Sequence, residues 1–185
     1  RGSGLKGLIS LDKKIKIENK ILFRPLLDQK KEDLVFLSKY VFDFYVQDPT
    51  NSDEKYQRIK IRKLIEELQK SGLDKKKLFR TIKNLKYSNE IVNFYVNDNL
   101  KKNTNFLQRG SKIILNKKFF LQPYEVIFRS FSTSIKLIGK KYYSVRGKKL
   151  DKVIKEIKNN DLTKATLGGC IIEKVNQSII LRKEH

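Results

Sequence analysis

Arg58 and Arg62 stand four positions apart, in a segment whose apolar residues Ile61, Leu64, Ile65 and Leu68 follow the i, i+3, i+4, i+7 spacing of a helix. At 100° per residue both guanidinium groups leave the helix on one flank of that stripe, where they can aim at a common site. A guanidinium is a planar fork that grips phosphate or carboxylate with two hydrogen bonds, which the point charge of Lys cannot do. The chain has 33 Lys and 9 Arg, so its few arginines are its candidate anion-reading groups. The same spacing also fits a plain solvated basic flank. A second constellation, Lys140, Lys141, Arg146, Lys148, Lys149 and Lys152, surrounds Tyr142 and Tyr143. Cations interleaved with aromatic rings suit a polyanion that carries bases, and a core position suits either tyrosine as well.

Other chemistries are narrowed by what the chain lacks. The one Cys, Cys170, allows no internal disulfide or cysteine zinc site, and reads as a small buried apolar residue. The one His, His185, is the last residue, so neither a Ser-His-Asp triad nor a His metal cluster is expected. With 42 basic and 20 acidic side chains the formal charge is +22. The excess is concentrated: residues 101–160 hold 16 basic and 3 acidic groups, a net of +13. Such a stretch attracts nucleic acid, RNA above all. No apolar run approaches the ~20 residues of a membrane helix, and no signal peptide pattern is present, so a cytoplasmic protein without a membrane partner is expected. The chain has no Met and begins with Arg1, the mark expected of a fragment whose start lies upstream.

The elements that must position these groups follow from patterning. Residues 21–27 read as a buried strand ending near Pro25. Asp28 is a candidate N-cap for a helix over 29–42, and residues 44–46 a short strand. Residues 48–52 are loop by composition, and can equally form an Asx turn or a helix cap. A helix over 53–70 stops at Gly72, and a second runs from 74 to 101 with a break near Ser88 and Asn89. Residues 112–115 and 119–121 are strand candidates. Pro123 opens a helix to Ile138, stopped by Gly139. Residues 142–145 are extended. Leu150, Val153, Ile154 and Ile157 mark a further helix, and residues 165–181 a β-hairpin around Asn176-Gln177, with Gly168-Gly169 a bulge or tight turn. The fold class is mixed α+β, divided into 1–66, a helical connection over 67–108, and a basic unit over 109–185.

Four pieces occur in order within 62 residues: Arg1-Gly2-Ser3-Gly4-Leu5-Lys6-Gly7-Leu8, Arg24-Pro25-Leu26-Leu27, Asp48-Pro49-Thr50-Asn51, and Tyr56-Gln57-Arg58-Ile59-Lys60-Ile61-Arg62. Further on come Gly139, Tyr142-Tyr143, Arg146, Thr166-Leu167-Gly168-Gly169-Cys170, Arg182 and Glu184. This set resembles the tRNA(Ile)-lysidine synthases of the PP-loop ATP pyrophosphatase superfamily, over essentially the whole chain. The family's S-G-G-x-D-S nucleotide loop has no counterpart here, and Ile59 stands where many members carry Asn. The resemblance implies the C-terminal part of an α/β PP-loop domain over 1–66 and a tRNA-binding unit over 109–185. It implies an ATP-dependent carbon–nitrogen ligase that adenylates the wobble cytidine of an isoleucine tRNA, after which free L-lysine displaces AMP, with Mg2+ at the phosphates and no metal ligands in this chain. Arg1, Gly2, Ser3, Gly4, Asp48, Asn51, Arg58 and Arg62 are then the pocket candidates for ATP and lysine. Asp48 would face the lysine amine or orient an arginine, and Asn51 would fix the loop. Lys140, Lys141, Tyr142, Arg146, Lys148, Lys149 and Lys152 are the tRNA-contacting candidates. The competing expectation is a non-catalytic basic RNA-binding protein, such as a ribosome-associated module, for which the +13 stretch suffices.

Overall fold

The structure, a computed structural model, describes residues 4–9, 13–17, 20–51, 53–107, 111–141 and 145–184. Contacts divide the chain into two compact units, Arg1–Tyr87 and Ser88–His185. Six helices and seven strands are assigned among the described residues, and the mixed α+β class is observed.

The first unit begins with α1 (Gly4–Leu8), followed by the antiparallel hairpin β1 (Lys14–Ile17) and β2 (Lys20–Phe23), in register Lys14↔Phe23 and Ile17↔Lys20. The strand expected at 21–27 does end before Pro25, which opens a 3-10 turn, Pro25–Asp28. It is not buried: Ile21, Leu22 and Phe23 are all exposed. Two strands alone have no second layer to cover their faces. Asp28 does not cap the next helix; it ends the 3-10 turn and pairs with Lys13. That helix, α2 (Lys31–Phe42), starts after Lys30 and carries Glu32 and Asp33 in its first turn, where the helix dipole favours carboxylates. It ends at Asp43 in the left-handed conformation, φ 61°. Residues 44–46 are not a strand, because no neighbour among the described residues offers them a ladder; the Phe44 carbonyl accepts from Ser38 Oγ at 2.9 Å instead. After a 3-10 turn at Pro49–Asn51 comes α3 (Gln57–Lys70). It begins four residues later than patterning suggests, since the Asp53 carboxylate takes the Lys55 amide at 2.9 Å and its carbonyl takes the Tyr56 amide. Gly72, at φ 103°, stops the helix as expected.

Helix α4 (Lys75–Asn103) is unbroken through Ser88 and Asn89, and the division between the units falls at that place. Along its expected stripe, burial rises from exposed Leu78 through half-buried Ile82, Leu85 and Val92 to buried Val96.

The second unit is a five-stranded antiparallel sheet in the order β3-β4-β7-β6-β5, made of β3 (Thr104–Leu107), β4 (Lys112–Leu115), β5 (Lys164–Leu167), β6 (Cys170–Val175) and β7 (Ser178–Lys183). Helix α5 (Tyr124–Gly139) packs on β4, β6 and β7, and α6 (Gly147–Lys158) on α5 and β5. Register aligns Ile113 with Leu181 and Leu181 with Ile172, one row of one face across three strands. That row meets Ile127, Phe131 and Ile135 of α5 and Leu150 and Ile154 of α6 in a core with no exposed surface. The four residues expected to mark α6 are all buried. Residues 119–121 are not a strand. Asn116 caps a 3-10 turn, Lys117–Leu121, by accepting the Phe119 amide at 3.1 Å, and Phe119 is wholly buried. Gly139 lies inside α5, and Lys140 at φ 49° makes the stop. A Cβ on Gly139 would sit 2.0 Å from the Gly168 carbonyl oxygen. Gly168 and Gly169, at φ 63° and 77°, form the tight turn between β5 and β6.

Candidate functional site

In the first unit the loop before α3 brings three groups together. Asp48 Oδ1 accepts the Thr50 amide at 2.9 Å, which shapes the turn, and the Asn51 amide closes on the Asp48 carbonyl at 3.1 Å. Arg58, in the first turn of α3, reaches back so that Nη2 lies 3.5 Å from Thr50 Oγ1, while its guanidinium stands 5.1 Å from the centre of the Tyr56 ring. The Thr50 hydroxyl and amide, with the Arg58 charge beyond them, hold the Asp48 carboxyl below its ordinary value of 3.8, so it is a carboxylate at neutral pH. The result is an exposed anion–hydroxyl–cation row with Asp48 at one end and Arg58 at the other. Arg62 is exposed one turn further along α3. Thr50, the link in the row, is a residue that sequence reasoning passed over; its signal was its place between Asp48 and Asn51, in the run Asp48-Pro49-Thr50-Asn51.

Arg1, Gly2 and Ser3 lie outside the described residues, and Gly4 opens α1. A hollow of about 300 Å³ in this unit lies between α2 and residues 44–46, lined by Leu34, Phe42 and Tyr45. It contains none of the expected pocket residues.

In the second unit Lys140 caps α5 and Arg146 precedes α6, both exposed. Lys141 lays its stem over the Gly168-Gly169 turn, its Cε 3.0 Å from where a Gly169 Cβ would stand. Lys148 and Lys149 are exposed in the first turn of α6, which holds no acidic residue. Cations there face the positive end of the helix dipole, an unfavourable placement that a bound polyanion would relieve. Lys152 has an anionic partner, Glu156, at 3.8 Å. Tyr142 and Tyr143 lie outside the described residues.

The second unit also holds a buried polar chain that patterning did not reveal. Asn99 donates to Ser130 Oγ at 2.9 Å and to the Phe119 carbonyl at 3.3 Å, and Asn103 donates to Asn99 Oδ1 at 2.9 Å. It ties the end of α4 to α5. In sequence these residues look like part of a polar linker. Cys170 is wholly buried with Sγ 3.2 Å from the Ile135 carbonyl, and burial pushes its thiol up to about 11, the inert setting expected of it.

Residues 1–68 match the PP-loop domain family. A tRNA(Ile)-lysidine synthase of Wolbachia sp. subsp. Brugia malayi is 30% identical over 190 aligned residues, covering all of this chain and 43% of that protein. Along its whole length the chain is thus similar to tRNA(Ile)-lysidine synthases, and over residues 1–68 to the PP-loop domain. The lysidine synthase of Wolbachia pipientis wMel is 27% identical, again over the full chain and 43% of its own length. That of Anaplasma marginale is 26% identical over 94% of the chain and 38% of its length. The chain thus spans less than half the length of these lysidine synthases. The PP-loop match contains the Asp48–Thr50–Arg58 row, while the lysine-rich face lies beyond it, in the remainder of the aligned length.

Among the described residues no group of three or more Asp, Glu, His or Cys side chains is placed to hold a metal ion. No helix among the described residues is long and apolar enough to cross a membrane.

Proposed function

We propose that this chain contributes the substrate-gripping part of a cytoplasmic tRNA(Ile)-lysidine synthase. In that reaction the carbon-2 oxygen of the wobble cytidine attacks the α-phosphorus of ATP and releases pyrophosphate. The ε-amine of free lysine then attacks carbon 2, and AMP leaves with the oxygen. Mg2+ enters as the counter-ion of the ATP phosphates. The observation that carries the reading is the row of Asp48, Thr50 and Arg58 within the PP-loop match.

Each member has a physical task. Asp48, held ionised by Thr50 and Arg58, is suited to an ammonium such as that of lysine. Arg58 and Arg62 present forks to a phosphate or to the lysine carboxylate. Arg1 and the glycines Gly2 and Gly4, with Ser3, complete the anion-handling side, and Asn51 holds the turn. Fixed charges of this kind accelerate a phosphoryl-centred step because they need no reorganisation as charge builds. Lys140, Lys141, Arg146, Lys148 and Lys149, with Tyr142 and Lys152, hold the tRNA body away from the reacting base.

The sequence contains no S-G-G-x-D-S loop to cradle ATP. The chain alone, given ATP, Mg2+, lysine and isoleucine tRNA, is therefore expected to form no lysidine. Adding the nucleotide-binding half of a Wolbachia relative is expected to restore product, and Arg58→Ala to abolish that restoration. Product from the chain alone, or restoration indifferent to Arg58, would refute the reading.

A second reading, a basic RNA-binding module without catalysis, is favoured by the self-contained core and lysine face of the second unit. Filter binding at two salt concentrations separates the two. A ligase part prefers isoleucine tRNA over an unrelated tRNA at both salts; a bulk polyanion binder loses both alike as salt rises.

A further inference from the structure

A cleft of about 520 Å³ opens in the second unit where the 3-10 turn Lys117–Leu121, the C-terminal end of α6 and the turn between β6 and β7 meet. Its floor is apolar: Ile157 and Ile179 are buried, and the half-buried Phe120 ring is fixed by Phe119 at 5.0 Å and by the edge of Phe131 at 5.8 Å. Three ammonium groups stand round it, those of Lys117, Lys158 and Lys174, and none of its lining side chains among the described residues is acidic. Lys174 is steadied by a hydrogen bond to Asn160 Oδ1 at 2.9 Å, and Lys158 by the face of Tyr124 at 5.8 Å. Each ammonium carries three N–H donors, so the bond that steadies Lys174 leaves two of its donors free. The turn adds the amides of Asn176 and Gln177, Asn176 being held at φ 52°.

This combination is more specific than a basic surface. A phosphate backbone or a paired helix needs cations but no apolar seat, because its base faces are already stacked on one another. An unpaired nucleotide needs all three parts: a flat apolar seat for the base, amides for its edge and cations for its phosphate. The volume lies in the range of pockets that enclose a ligand of that size.

The cleft is also a different place from the lysine face. Strand β6 starts at Cys170, beside the glycine turn that Lys141 covers, and ends at Val175, beside the cleft. Its six residues span about 17 Å. Helix α6 repeats the separation, with Lys148 and Lys149 in its first turn and Lys158 at its last residue.

We propose that this cleft seats one unpaired nucleotide of an RNA, with its base on Phe120, Ile157 and Ile179 and its phosphate among Lys117, Lys158 and Lys174. It deepens the RNA-binding side of the proposed function and rests on that side alone, since lysidine formation plays no part in its test.

The test is fluorescence anisotropy of the full chain with a labelled short single-stranded oligouridylate and a labelled RNA duplex. Removing cleft cations with the double variant Lys117→Ala/Lys174→Ala is expected to weaken the single strand about tenfold or more, with duplex affinity within about twofold. The face variant Lys148→Ala/Lys149→Ala is expected to do the reverse. Gln177→Ala, exposed in the turn, guards against misfolding as the explanation and is expected to weaken the single strand about threefold at an unchanged thermal midpoint. Unchanged single-strand binding in the cleft variants would overturn the proposal. So would equal losses on both RNAs, or a loss seen only on phosphatidylserine vesicles, which would make the cleft a lipid site.

Discussion

The two units treat apolar side chains in opposite ways. In the second, seventeen residues form one buried cluster, with Phe119, Phe131, Leu150 and Leu181 wholly shielded. In the first, the only buried apolar side chains among the described residues are Ile9 and Ile59, while Phe23, Phe36, Tyr40, Phe42, Phe44 and Val46 are all more than half exposed. Composition does not explain the contrast, since both units supply large apolar residues. Layers do. The second unit places two helices against a five-stranded sheet, and each face covers the other. Among the described residues the first has a two-stranded hairpin and helices with no larger sheet beside them. An apolar stripe is stabilising only when something lies on it.

The sharpest way to break this contrast is hydrogen exchange. Amides of β4, β6, β7 and α5 are expected to exchange about 10³-fold or more slowly than those of α2 and β2, because local opening ranges from nearly free to the full unfolding energy. Equal protection would end the comparison. Truncation comes next. Ile154→Ala, at a position with no exposed surface, is expected to cost about 2–5 kcal/mol in urea unfolding. Phe36→Ser, at a site 71% exposed, is expected to stay within about 0.5 kcal/mol. A pair of glycines sharpens the point. Gly139→Ala forces a Cβ to 2.0 Å from the Gly168 carbonyl, and a loss of about 2–3 kcal/mol is expected. Gly72→Ala meets no atom within 4 Å but must keep φ 103°, so about 1 kcal/mol is expected.

Two smaller effects concern titration. With its thiol pushed up to about 11, Cys170 is expected to resist iodoacetamide at pH 8 until the chain unfolds, as mass spectrometry of the alkylated chain would show. Glu173 accepts from Arg182 at 2.9 Å, with Lys164 at 3.4 Å, and these partners lower its carboxyl from 4.5. A carboxyl lowered in the folded state adds stability that is fully present above 4.5 and is lost as pH falls through the lower folded value. Glu173→Gln is therefore expected to lower the melting midpoint slightly at neutral pH and to flatten its acid limb, the two proteins converging below the folded value.

How far the sequence foretold these elements follows the same divide. Leu150, Val153, Ile154 and Ile157 announced α6 because a real core enforces the 3.6 period. The stripe Ile61, Leu64, Ile65 and Leu68 announced α3 equally well, yet Ile59 is that helix's only buried residue. Periodicity reported the helix and not what faces it. Residues 44–46 and 119–121 have strand-like side chains, but a strand exists only with a partner, and the Asn116 cap decides the second case. β3 was hidden in a polar run, since its strand character comes from pairing Phe106 with Ile113. At the candidate site the arginines were legible by type and spacing. The Thr50 bridge was not, because it depends on a turn folding back on α3.

The two turns that bound β6 differ in how freely they can change. At one, Gly139 and Gly168 bring main chains so close that no longer turn and no larger residue can be accommodated. At the other, Asn176 and Gln177 face an open cleft. Lengthening is therefore tolerated only at the Asn176 tip, so variation among descendants of this hairpin should accumulate there, altering what the cleft admits while the packing beneath α5 stays untouched.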